Sequence, residues 1–190
     1  MNDGDGPLHD QAPHARRGLF DEETAVKQPA LYVLGALGWE EQACLQHEWD
    51  VAVSTEGRRT PREVILEPRL RAALAALNPD TLPDAIEKAV ESLQADRRVM
   101  PPQEASKAFH GLLRDGVKVR VPDGKGGWKN ETVKVIDWLA PRNNHFFLAD
   151  EFIVQGEFYT RRADIVGFVN GLPLLHIELK APDRPVRANF

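Results

Sequence analysis

The chain has 190 residues, is 42% hydrophobic and 28% charged, and carries a formal net charge of −5, the composition of an ordinary soluble globular protein. That acidity argues against a protein that coats nucleic acid non-specifically. No apolar run approaches the roughly 18–20 residues that span a bilayer. Its single cysteine, Cys44, excludes an internal disulfide and points to a reducing compartment, so the cytoplasm is the expected location, with no membrane association.

Residues 1–19 lack an apolar signal core and read as a mobile tail ahead of one domain, 20–190. From about residue 20 to 115 the apolar period is helical. DEETAVKQPALYVLGAL predicts a first helix, interrupted or restarted at Pro29 and ended by Gly38. PRLRAALAALN predicts a second, stopping at Asn78-Pro79. TLPD resembles a capping box, with Thr81 as N-cap, for a third helix that aligns Ile86, Val90 and Leu93. Pro101 and Pro102 open a fourth, running through Phe109, Leu112 and Leu113 to Asp115-Gly116.

After Gly116 the period becomes that of strands, over about 116–182. VKVRV, the turn PDGKGG and TVKVIDWL predict a hairpin, and FFLADEFIV, ADIVGFVN and LPLLHIEL predict three further strands. Asn170-Gly171 is the strongest hairpin signal, because both residues tolerate positive φ. Helices first and a mixed sheet of about five strands second imply an α/β fold with α+β-like order.

The last two strands carry charge where apolar residues dominate: Asp164 in ADIVGFVN, then Glu178 and Lys180 in the segment that follows. An acid-x-lysine triplet is weak evidence alone, and Asp123-Gly124-Lys125 is a second match that reads as a loop. Context adds weight, since Glu178 and Lys180 share one face of a strand. Parity sets a condition. A regular two-residue loop of Asn170 and Gly171 pairs Asp164 with Ile177 and sends Asp164 and Glu178 to opposite faces. A three-residue loop, or a bulge near Pro173, returns them to the same face. Two carboxylates about 4 Å apart repel by roughly 4 kcal/mol at an effective dielectric of 20. Either one takes a proton or a cation binds between them, and an all-oxygen donor set suits Mg²⁺. With Lys180 beside the ion, the chemistry is phosphodiester hydrolysis. A sheet-edge charge network with Arg161, Arg162 or Lys180 accounts for the same residues equally well.

The phrases Arg162-Ala163-Asp164, Phe168-Val169-Asn170-Gly171-Leu172-Pro173 and Ile177-Glu178-Leu179-Lys180 resemble the nuclease motif of the R subunit of type I restriction enzymes, within the PD-(D/E)XK nucleases. Arg62-Glu63-Val64-Ile65-Leu66, Arg69-Leu70, Leu77-Asn78-Pro79, Gly116-Val117, Ile136-Asp137-Trp138 and Asn143-Asn144-His145-Phe146 extend the likeness over most of residues 20–182. The resemblance implies a restriction-endonuclease-like core acting on double-stranded DNA, with Asp164 and Glu178 as metal-binding acids and Lys180 as the catalytic lysine. Ala163 stands where the family commonly has proline. An acid on the first helix often assists in the superfamily, and Glu22, Glu23 and Glu63 are the candidates here. Arg161, Arg162, Arg184 and Arg187 are candidate phosphate contacts, in a stretch from 158 to 190 with five basic against three acidic residues. Methyltransferase and specificity subunits are the implied partners. No Gly-x-x-x-x-Gly-Lys-Ser/Thr loop is present, so ATP is expected only in the translocase domains of a longer parent. The chain also ends before the family's Gln-x-x-x-Tyr helix, so it reads as an N-terminal piece that lacks a closing element.

The six histidines show no zinc-ligand spacing, and His176 reads more simply as a packing residue. Cys44 reads as buried and inert. Trp39, Trp49, Trp128 and Trp138 are expected in the core and hairpin rather than stacked on bases. The expected function is a Mg²⁺-dependent endonuclease domain; the alternative is a non-catalytic assembly or DNA-docking module.

Overall fold

The computed structural model describes residues 23–42 and 57–180, which fall into two compact units, 23–36 with 179–180, and 37–42 with 57–178. In the first, a π-helical turn, Glu23–Lys27, leads into α1, Gln28–Ala36. Pro29 is the second residue of α1, where its missing N–H costs nothing, so the proline restarts the helix. Lys27, Leu31 and Leu179 are the buried residues among those described in this unit.

In the second unit the chain runs β1 (Glu40–Gln42), α2 (Glu67–Leu77), α3 (Pro83–Gln94), α4 (Pro102–Asp115), β2 (Val117–Pro122), β3 (Trp128–Val133), β4 (Phe146–Gln155), β5 (Thr160–Val169) and β6 (Leu172–Ile177). The α/β class follows from the sequence; the sheet differs in detail. Strands β1-β4-β5-β6 form a mixed four-stranded sheet in that order, and β2 and β3 form a separate ribbon. β1 lies parallel to β4, and the other pairs are antiparallel. The three polar residues of β1 carry no apolar signal, which is why the period analysis misses it.

α2, α3 and α4 stand where the apolar period sets them, with Ala85, Ile86, Ala89, Val90 and Leu93 buried on α3. The capping box does not form. Pro83 opens α3, Leu82 is its N-cap without a side-chain bond, and the Thr81 N–H donates to the Asn78 carbonyl. Arg71 ties α2 to α3 instead, donating from Nε and Nη2 to the Glu87 carboxylate at 2.7 Å each, and to Glu67 at 2.9 Å. That fork geometry is the strong form of an ion pair. Hydrogen bonds to Arg71 hold the Glu87 carboxyl below its usual range, and bonds from Gln94 and Arg71 do so for Glu67.

The second hairpin arm begins earlier than TVKVIDWL predicts. Trp128 pairs with Pro122 and Val133 with Val117. The turn is set by Asp123, whose Oδ1 accepts the N–H groups of Lys125 and Gly127. One core cluster joins Leu70, Leu74, Val90, Leu93, Val117, Val121, Val133 and Leu172. Another joins Leu66, Phe147, Phe152, Val166 and Phe168 beneath the four-stranded sheet.

Candidate active site

The β5–β6 hairpin is built by its turn. Asn170 and Gly171 both have positive φ, 53° and 78°, the signature of a two-residue type I′ connection, with Val169 opposite Leu172. The turn is anchored on both sides. The Leu66 N–H donates to the Gly171 carbonyl at 2.9 Å, and a Cβ on Gly171 would come within 2.5 Å of the Leu70 nitrogen. The fully buried Asn170 side chain accepts the His145 N–H at 2.8 Å. It donates to the Val135 carbonyl at 2.8 Å and to Asn144 Oδ1 at 2.9 Å. Asn144 in turn accepts the Asp137 N–H and donates to the Asp137 and Pro141 carbonyls. Asp137 takes bonds from the Leu139 and Ala140 N–H groups and from Asn143 Nδ2. These bonds, with Asn143 first, hold its carboxyl below the usual aspartate range. Three phrases far apart in the sequence, Ile136-Asp137-Trp138, Asn143-Asn144-His145 and Asn170-Gly171, thus meet in one satisfied network that fixes where β5 begins to pair with β6.

From that anchor the register decides the rest. Val169 pairs with Leu172 and Phe168 with Pro173, but Gly167 pairs with Leu175, Val166 with His176 and Ile165 with Ile177. Leu174 is the extra residue of a β-bulge. The two-residue loop alone would set Asp164 against Ile177; the bulge absorbs the odd residue. The pairing ends at Ile165–Ile177; extended by one position, the same register would put Asp164 and Glu178 on one face of the hairpin.

Asp164 is half-buried and Glu178 is exposed just past the end of β6, the edge strand. Glu178 Oε1 lies 3.0 Å from His176 Nε2. His176 is therefore not a packing residue; its side chain is 58% exposed. Lys180 is exposed and belongs to the first unit. The arginines divide. Arg162 pairs with Glu151 at 2.5 Å, while Arg161 is exposed on β5. Arg184, Arg187 and Glu22 lie outside the described residues, as do the side chain of Glu23, Cys44 and Trp49. Glu63 is not on a helix. It follows a turn ahead of α2, and its carboxylate accepts the Arg59 N–H at 2.8 Å and Nε at 3.1 Å.

The sequence reading overlooked Glu151. It stands between the pairs Asp150–Ile165 and Phe152–Ala163 at a position the pairing skips, with φ at 53°, and its carboxylate meets Arg162. Such a backbone is costly for a residue with a side chain and clusters near functional sites. The signal was present: FFLADEFIV sets adjacent acids in an apolar strand, the same feature that marks Asp164.

Among the described residues no group of three or more His, Cys, Asp or Glu side chains forms a metal cage.

A family model described as the type I restriction enzyme R protein N terminus matches residues 20–190. The chain is 32% identical over 166 residues to the type I restriction enzyme HindI endonuclease subunit of Haemophilus influenzae, covering 85% of this chain and 15% of that protein. It is 29% identical over 171 residues to a protein of Methanocaldococcus jannaschii named "Putative type I restriction enzyme MjaIXP endonuclease subunit", covering 86% of this chain and again 15% of the relative. The chain thus spans about 15% of the length of these relatives. With its match running from residue 20 to 190, it belongs to the family of type I restriction enzyme R protein N termini.

Proposed function

We propose that this domain is the metal-dependent endonuclease part of a type I restriction R subunit, of the PD-(D/E)XK kind, hydrolysing phosphodiester bonds of double-stranded DNA. What supports it is the β5–β6 register: the bulge at Leu174 leaves Ile165 paired with Ile177, and the same register extended by one position would bring Asp164 and Glu178 to one face. Like charges facing each other across a strand pair are destabilising, and a divalent cation turns that cost into binding. Asp164 and Glu178 would hold Mg²⁺, which when bound acidifies a water and neutralises phosphate charge. Lys180 would donate to the attacking water or to the phosphate oxygens, and Arg161 would contact the backbone of the same strand. The partners proposed are the methyltransferase and specificity subunits, with ATP used by translocase domains elsewhere in the parent protein.

Plasmid nicking tests the reading. With Mg²⁺ the chain should convert supercoiled to open-circular DNA, and Asp164→Asn and Lys180→Ala should each lower the rate at least 100-fold. Equal traces of nicking in all three proteins would reject it and favour a non-catalytic assembly module.

A further inference from the structure

Away from that hairpin, the β2–β3 ribbon turns one face to the core and one to solvent. Val117, Val119 and Val121 of β2 are buried, and Lys118 and Arg120 alternate with them on the exposed side. By register, Arg120 faces Asn130, Lys118 faces Thr132 and Pro122 faces Trp128, so the outward face of the ribbon contains no acid. Trp128 is 58% exposed, which is not the core position its size predicts. Lys88 from α3 and Arg120 flank its ring at 5.5 and 5.4 Å from the centroid. Both lie over the ring within the reach of a cation–π contact, and the ring is still more than half exposed. Lys88 is held there by donating to the Arg120 carbonyl. From 117 to 134 the ribbon has five basic against two acidic residues in a chain of net charge −5. Both acids are engaged elsewhere, Asp123 capping the turn and Glu131 pairing with Lys129.

We infer that this face binds single-stranded nucleic acid, with Trp128 as the stacking platform and Lys88, Lys118 and Arg120 as phosphate contacts. A largely exposed ring beside cations on a strand pair suits an unstacked base, which only an open strand presents; base–aromatic stacking is worth about 1–3 kcal/mol per base. A duplex keeps its bases paired and would use the cations alone. The inference rests on the nuclease reading only for choosing DNA over RNA.

Fluorescence anisotropy of the full chain, in EDTA so that nothing is cut, tests it with a labelled 20-nucleotide single strand and the matching duplex. Trp128→Ala should weaken single-strand binding about 10-fold and Trp128→Phe should restore most of it. Lys118→Ala with Arg120→Ala should lower the slope of log affinity against log salt by about 1.4, near 0.7 per lost phosphate contact on a single strand. Circular dichroism should show all variants folded, because each substituted side chain is exposed. Duplex-only binding, single-strand binding indifferent to Trp128, or no binding by the unmodified chain would overturn the inference. The nuclease reading would fall separately, on the loss of metal-dependent nicking.

Discussion

At the scale of single residues, Asn170 carries more of the architecture than either candidate catalytic acid. Its amide satisfies the His145 N–H, the Val135 carbonyl and Asn144 Oδ1 in a fully buried position. Asn170→Ala takes these partners from the His145 N–H and the Val135 carbonyl, leaves Asn144 Oδ1 with the Asp137 N–H alone, and keeps a φ of 53° that alanine disfavours. A loss of about 3–5 kcal/mol in unfolding free energy follows, at roughly 1–3 kcal/mol per orphaned group, measurable by urea denaturation. Asp137 makes a prediction in pH. Its folded carboxyl lies below its usual range, so the stability it contributes is complete above the unfolded value, about 3.9, and is lost as pH falls from there through the folded value. Asp137→Asn should therefore be less stable than the parent at pH 7 and should lose less stability on acidification to pH 3. Asn170 was legible in the sequence as a hairpin-turn residue and Asp137 only as part of a family likeness; the network that joins them is tertiary and has no local signal.

At the scale of elements, the four helices were readable because their apolar period is long and their ends carry Pro, Asn or Gly. The failures have physical causes. Thr81 has the residue type of an N-cap, but Pro83 two residues later starts the helix and displaces the cap to Leu82. The arm TVKVIDWL alternates like a strand, yet Asp137 and its neighbours are drawn into the Asn144 network, and pairing stops at Val133. Parity in β5–β6 could be posed from the sequence but not resolved, since a two-residue turn and a bulge are both compatible with Asn170-Gly171-Leu172-Pro173. The bulge has a single duty, absorbing one residue. Deleting Leu174, which is 41% exposed, should then yield a regular hairpin that still opposes Asp164 and Glu178. Manganese affinity should stay within about 3-fold of the parent, and a Leu174 deletion that folds but loses the ion would count against this reading of the register.

At the scale of the whole molecule, family and fold class were within reach of the sequence, because the motif phrases fall at the turns and strand ends that set the sheet. What eluded it lies on surfaces. Trp128 and Trp138 are 58% and 57% exposed, although tryptophans read from composition alone belong inside. His176 meets Glu178 and Glu151 meets Arg162 only through the fold. The chain spans about 15% of its curated relatives, so the domain is judged best by what its own residues bind. Calorimetric titration with Mn²⁺ at pH 7 tests the central proposition most directly, because it reads the opposed acids without requiring DNA. One ion per chain is predicted, with affinity falling at least 10-fold in both Asp164→Asn and Glu178→Gln. Binding that survives both substitutions, or no binding by the unmodified chain, would contradict it.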